Sequence, residues 1–256
     1  MTVSQWSVLL EGHPFDLADA CDTFRQPGRV VIEVADDLRD GPHAVLISEA
    51  FSTAGDAVEV LRIAQHLLDR VNAVLFGLNP DRIPLRPSGW LAERRIDGTV
   101  GMQVVEHIHE TLVVRDRVAA THVGPCAEQN DQRREACEVQ WVNDSFSDDT
   151  FADVLSFFRG QPDWLELWKA FETMRADINR GAGRLPEARA FRWPAKPALS
   201  HFQMSAQVHR HSPQKWPDGM TSRDAMPLDE ARRFIADLFI RWAEWRDELQ
   251  SPRRPS

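Results

Sequence analysis

Apolar residues recur at three- and four-residue steps between Ala57 and Asn72, and this period predicts an amphipathic helix. Ser52 or Thr53 can cap the helix, and Asp56 falls in its first turn. Because one face of this helix is apolar, we expect it to cover a sheet. The repeated apolar positions are Val60, Leu61, Ala64, Leu67, Leu68 and Val71.

Short β-branched or aliphatic runs before and after this helix predict strands. Asp97-Gly98 separates two of these runs, and this dipeptide suits the tight turn of a hairpin. Residues 16–24 predict one or two helical turns, for which Asp16 can act as the cap. The predicted strands are 5–11, 29–34, 44–48, 90–96, 103–114 and 117–123.

The second half of the chain has the period of helices rather than strands. Asp148 or Asp149 can cap a helix over 150–159, and two longer helices are predicted over 164–180 and 228–249. Both long helices carry apolar stripes that include tryptophans. We expect these two helices to pack on each other around an aromatic core.

Residues 185–226, between the two long helices, are rich in proline and tryptophan. This composition predicts a long irregular segment that the ring constraints of the prolines stiffen. Rigid irregular backbone between helices is a common location for binding sites. The prolines concerned include Pro194, Pro197, Pro213 and Pro217.

These elements predict an α+β fold, with an N-terminal antiparallel or mixed sheet and one long helix, followed by a mostly α-helical C-terminal part. Residues 126–153 hold eight acidic residues and only two basic ones, and such a shift in composition is typical of a domain border. The predicted organisation is therefore an α+β sheet domain (1–125), an acidic connector (126–153), a helical domain (154–250) and a disordered tail (251–256).

The net charge of -9 argues against binding to nucleic acid or to an anionic membrane, because both need a basic surface. The arginines of the last predicted helix, Arg232, Arg233, Arg241 and Arg246, stand among acidic residues and predict a solvated face. The start of the chain lacks the pattern of a secretory signal, and no apolar run is long enough for a membrane span.

The three cysteines are too few and too widely spaced for a disulfide framework, which favours a reduced, cytoplasmic setting. Basic residues are almost all arginine, since only Lys169, Lys196 and Lys215 are lysines. This skew is typical of a GC-rich bacterial genome. We therefore expect a soluble cytoplasmic protein of bacterial origin.

Three histidines, His201, His209 and His211, lie within eleven residues, and the chain has nine in total. Converging imidazoles can bind a transition metal or move protons, and Glu172 is the best candidate for a carboxylate partner. The alternative is that the three rings pack in a loop and bond to backbone. The residues predicted nearest a polar site are Glu172, Arg192, His201, Gln203, His209, Arg210 and His211.

Other histidine and cysteine groups carry a weaker chemical signal. His107 and His109 share one side of a predicted strand, where they face solvent. His122, Cys126 and Cys137 could supply three zinc ligands, but their spacing fits no zinc motif and a fourth ligand is missing. No metal and no cofactor are therefore predicted.

The sequence contains no nucleophile elbow, Walker A loop, dinucleotide fingerprint, kinase signature or His-Glu-x-x-His. The leading hypothesis is therefore an intracellular bacterial accessory or regulatory protein that acts by protein–protein binding. Its partner, a different protein or a second copy of the chain, would bind through the helical half. The alternative hypothesis is a hydrolase or nuclease that uses His201, His209 and His211 with Glu172.

Overall fold

A computed structural model describes residues 5–36, 42–94, 100–105, 137–182, 190–211 and 224–250. The fold is α+β, as predicted, with a five-stranded antiparallel sheet followed by a mostly helical region. The described elements are β1 (Gln5–Glu11), α1 (Pro14–Thr23), β2 (Val31–Ala35), β3 (His43–Ile47), a 3₁₀ helix (Glu49–Thr53), α2 (Ala57–Leu78), β4 (Arg86–Arg94), β5 (Val100–Val104), α3 (137–144), α4 (Asp149–Ser156), α5 (Trp164–Ala182), α6 (Lys196–Arg210) and α7 (Leu228–Gln250).

The chain divides into two compact units, and α2 contributes to both. The first, here the sheet unit, comprises residues 1–68 and 85–143, and the second, the helical unit, comprises 69–84 and 144–256. The domain border predicted after residue 125 lies outside the described residues. The border predicted after residue 153 falls within α4.

The sheet has the strand order β2-β3-β1-β4-β5, and every pair of neighbours is antiparallel. One face of the sheet is completely buried at its centre, where Val8 pairs with both Leu46 and Leu91 and Ile32 pairs with Leu46. These four side chains alternate with residues of the opposite face, because neighbouring side chains of a strand point to opposite sides.

The predicted hairpin around Asp97-Gly98 is present, since β4 and β5 pair with Arg94 opposite Val100, but β5 begins at Val100, three residues before the predicted start at Gln103. Strand β4 begins at Arg86, four residues before the predicted start. The turn itself, residues 106–114 of the predicted hairpin, and the predicted strand 117–123 all lie outside the described residues.

The predicted caps of the first two helices were wrong. Helix α1 begins at Pro14, two residues before Asp16, because a proline is tolerated in the first turn, where its missing N–H is not needed. At α2, the carboxylate of Asp56 accepts a hydrogen bond from Glu59 N at 2.8 Å. The predicted caps Ser52 and Thr53 belong to the preceding 3₁₀ helix, where their hydroxyls donate to carbonyls.

Helix α2 continues six residues beyond the predicted end at Asn72. The added residues 73–77 are all buried, and no proline occurs before Pro80 to stop the helix. A methyl group added to Gly77 would lie 2.5 Å from Cδ1 of Phe239, so the end of α2 and α7 approach closely. This contact lies within the helical unit.

The prediction that α5 and α7 pack on each other is confirmed. Phe171 and Met174 of α5 and Phe239 and Trp242 of α7 are completely buried. Asp148, one of the two predicted caps, accepts a hydrogen bond from Phe151 N at the start of α4. Together, α4, α5 and α7 build the aromatic core of the helical unit.

The prediction of a solvated arginine face on α7 was wrong for two of its residues. The side chains of Arg232 and Arg246 are only 12% and 14% exposed. Arg232 Nε donates to the carbonyl of Pro162, while Arg246 forms ion pairs with Asp148 and Asp177. Apart from Asp229, which pairs with Arg232 within α7, these partners lie outside α7, so the local charge pattern of α7 could not reveal them.

Candidate functional site

Helix α6 positions most of the residues that the sequence singled out. The proline-rich composition predicted an irregular segment here, and this was wrong for residues 196–210. Pro197 stands in the first turn of α6, where a proline supports a helix instead of breaking it. The buried side of α6 centres on Phe202, whose ring lies against Phe171 of α5 and Phe234 of α7 at centroid distances of 5.5 and 5.1 Å.

His201 is half-buried on α6, and its Nε2 lies 2.9 Å from the carbonyl oxygen of Asp224. A carbonyl can only accept, so Nε2 of His201 carries the proton in this bond. One turn further on, the buried Oγ of Ser205 accepts a hydrogen bond from Met226 N at 2.8 Å. The two bonds hold the backbone of residues 224–226 against α6, directly before α7 begins.

A groove lies beside His201, between α6 and the first half of α7, and its volume is about 410 Å³. Its floor includes the buried side chain of Met226 and the half-buried ring of Phe234. Exposed charged side chains of α7 form its edge. The lining residues are Pro197, Ala198, His201, Met226, Glu230, Arg233, Phe234 and Asp237.

His209 stacks on Trp164 of α5, with ring centroids 4.6 Å apart and planes only 10° from parallel. The partial loss of water around the His209 ring lowers its pKa below the ordinary histidine value. Next to it, the guanidinium of Arg210 lies 4.7 Å from the ring centre of Trp168. His209 and Arg210 thus cover two tryptophans that are less than a tenth exposed. Packing on these rings explains where the two side chains lie.

The predicted site residues do not all face one point. His201 and His209 are eight residues apart on α6, roughly 12 Å along the helix axis, and they contact different elements. Glu172 is exposed on α5, and within the described residues no hydrogen bond or ion pair joins it to a histidine. Arg192 is exposed before α6, Gln203 is half-buried, and half-buried His211 directly follows α6.

Across the described ranges, no group of three histidine, cysteine, aspartate or glutamate side chains has the arrangement of a metal site. Cys137 is half-buried in α3. Four of the weaker candidates, His107, His109, His122 and Cys126, lie outside the described residues.

The sheet unit carries an apolar surface that was not predicted from the sequence. Trp90 of β4 and Val100, Met102 and Val104 of β5 lie on one face of the hairpin, and this set is called the hairpin face below. Their exposed fractions range from 36% for Met102 to 51% for Val104. The alternation in Val-Gly-Met-Gln-Val predicts a strand with one apolar side, and this was the available signal.

The hairpin face continues into a buried apolar cluster on the same side of the sheet. Ala92 pairs with Met102 and also with Ser7 of β1, and it packs with Leu9 and Val45. All three members of this cluster are less than a tenth exposed. The exposed hairpin face is thus the edge of a contiguous apolar region rather than a set of scattered side chains.

Comparison with protein-family models, with curated proteins and with solved structures found no match. In the part of the chain that the structure describes, every helix is too short or too polar to cross a membrane. The function therefore has to be argued from the residues themselves.

Proposed function

We propose that this chain acts by binding another protein molecule through the hairpin face. The observation that carries the proposal is the exposure of Trp90, Val100, Met102 and Val104 together on paired strands. The four exposed side chains are contiguous, and the largest contiguous apolar patch on a protein surface often marks an interaction site. Tryptophan and methionine are also enriched where proteins bind each other.

The binding surface was expected on the helical half, and we propose that it lies on the sheet unit instead. The apolar stripes of α5 and α7 are used within the helical unit, where Trp164, Trp168, Trp242 and Trp245 are all buried. Of the large apolar side chains described in the helical unit, Ile83 and Leu165 are exposed, and they stand singly. Single exposed apolar residues are ordinary on a soluble protein.

The groove beside His201 supports a second, weaker candidate function, a hydrolase or nuclease. His201, Glu230 and Asp237 line the same groove, and their imidazole and carboxylate groups can exchange protons. Tightly bound zinc, manganese or iron in the purified protein, lost in His201→Ala, would favour this candidate. We give protein binding precedence because the hydrogen bond from His201 to the Asp224 carbonyl already explains this histidine, since it holds the segment directly before α7 against α6.

Site-specific photo-crosslinking tests the proposed binding surface. A benzoylphenylalanine replaces Met102 in one variant, Val58 in a second and Leu165 in a third, since all three residues are exposed and apolar. After irradiation in cells, we expect a protein adduct from position 102 and at most weak adducts from the two control positions. Equal yields at all three positions, or none at 102, would refute the hairpin face as the binding surface.

A further inference from the structure

We infer that the protein molecule bound by the hairpin face is a second copy of this chain, and that the two β5 strands pair antiparallel about a two-fold axis at Met102. This inference rests on the proposed function and adds the identity of the partner. It is carried by the backbone register of β5, by the residues along that strand and by the charge of the chain.

Strand β5 directs its hydrogen-bonding groups outward at alternate positions. Val105 N donates to Gly89 O at 2.9 Å, which makes Gly89 and Val105 a hydrogen-bonded pair at the end of the hairpin. In a regular antiparallel ladder such pairs alternate with non-hydrogen-bonded pairs. The pairs of Val100, Met102 and Val104 with β4 are therefore of the second kind, and the N–H and C=O groups of these three residues point away from β4.

Within the described sheet, β5 is an edge strand that lacks the usual protection against pairing. Proteins commonly protect such edges with charged side chains or prolines, and Val-Gly-Met-Gln-Val contains neither. The opposite edge strand, β2, differs in this respect because it carries the exposed charge of Glu33 at its centre. The two edges of the described sheet therefore differ, and β5 is the one without a charged residue or a proline to oppose another strand.

The strand is complementary to itself about Met102. In the antiparallel arrangement, Met102 lies opposite Met102 of the partner subunit, and Val100 lies opposite Val104 of the partner subunit. All of these positions have outward N–H and C=O groups, so each facing pair can exchange two main-chain hydrogen bonds. The apolar side chains of both copies then lie on one continuous face, as expected for an interface with two-fold symmetry.

Charge and area both bear on the association of two copies. Two chains of net charge -9 repel each other on average, but no charged side chain of β5 opposes the approach at this edge. Pairing of two five-residue strand edges buries far less than the ~800 Å² per partner of a standard stable interface. We therefore expect a weak, concentration-dependent dimer rather than a permanent one.

Sedimentation of the full chain over a wide concentration range tests this inference with two matched variants. Met102→Lys places two positive charges opposite each other at the axis, so we expect self-association to weaken by roughly tenfold or more. Gln103→Lys adds the same charge one residue away, opposite Gly101 of the partner subunit, and should leave self-association nearly unchanged. Both side chains are exposed, and thermal unfolding verifies that each variant is folded.

The results separate this inference from the proposed function. A wild-type dimer that Met102→Lys disrupts and Gln103→Lys preserves supports the inference. A wild-type chain that stays monomeric at every concentration overturns it, as does a dimer that Met102→Lys leaves intact. If the crosslink from position 102 captures a different protein and no second copy, the inference is wrong while the proposed binding surface stands.

Discussion

The indole Nε1 of Trp242 donates a hydrogen bond to Oδ2 of Asp177 at 3.0 Å, and this bond connects α7 to α5. The same carboxylate oxygen accepts from Arg246 Nη1 at 3.2 Å. Arg246 also forms an ion pair with Asp148, the residue that caps α4. One largely buried carboxylate and one arginine therefore hold three helices of the helical unit together.

Replacement of Trp242 tests how much this core contributes to stability. Trp242 is completely buried and stacks on Phe151, so Trp242→Ala should lower the free energy of unfolding by about 3–5 kcal/mol. Trp242→Phe keeps most of the packing and loses the hydrogen bond to Asp177, with an expected loss of about 1–2 kcal/mol. Chemical denaturation measures both values. Equal losses for the two variants would mean that the packing of the Trp242 ring adds nothing to stability beyond its hydrogen bond.

Removal of the charge at Arg246 should also destabilise the helical unit. Arg246→Met leaves Asp148 and Asp177 without their shared cation. Because the two carboxylates keep some contact with water, we expect a loss of about 1–3 kcal/mol, below the value for a fully buried pair. Arg241→Met is the matched control on the same helix, because Arg241 is exposed, and it should change stability by less than about 0.5 kcal/mol. A similar loss in both variants would mean that the ion pairs of Arg246 add nothing.

The approach of α2 to α7 predicts that Gly77 does not tolerate a side chain. Its added methyl group would meet the ring of Phe239, so Gly77→Ala should cost about 1–3 kcal/mol despite the better helix propensity of alanine. Gly160→Ala is the control, since no atom lies within 4 Å of the added methyl group there. Thermal unfolding should show a lower midpoint for Gly77→Ala and an unchanged or higher one for Gly160→Ala, and the reverse order would exclude the close approach.

The stack of His209 on Trp164 predicts a pH dependence of stability. Burial lowers the pKa of His209 in the folded chain, whereas the unfolded chain has the ordinary value of about 6.5. The unfolded state therefore binds more protons between these two pKa values, so stability falls as the pH decreases below about 6.5. Unfolding free energies of the wild type and of His209→Gln are measured from pH ~7.5 to ~5. As the pH falls, the wild type should lose more stability than the variant, because glutamine does not bind a proton. A constant difference over that range would contradict the prediction.

The elements of the fold could be predicted from the sequence wherever a local period is strong. The apolar repeats of α2, α5 and α7 predict helices because residues three and four apart lie on one helix face, and the packing of α5 on α7 followed from their stripes. The Asp97-Gly98 signal likewise predicted the pairing of β4 and β5. These features depend on residues that are close together in the chain, so they can be predicted from the local sequence.

Helix α6 shows where local patterns mislead. A proline-rich composition suggested an irregular segment, yet Pro197 stands at the one part of a helix that accepts it. The sequence could place three histidines close together in the chain. It could not show that His201 turns to the Asp224 carbonyl and His209 to Trp164, because the partners lie on elements distant in sequence.

Long-range contacts also decided which charged and apolar side chains are buried. Arg246 has the sequence context of a solvated residue. Its burial is favourable only because Asp148, at the start of α4, and Asp177 of α5 form ion pairs with it. Trp90 and Trp242 are both tryptophans within regular elements, but Trp90 is 46% exposed whereas Trp242 is completely buried and stacks on Phe151 of α4. The local period determines which side of an element is apolar, whereas the assembly of the elements determines whether that side is covered.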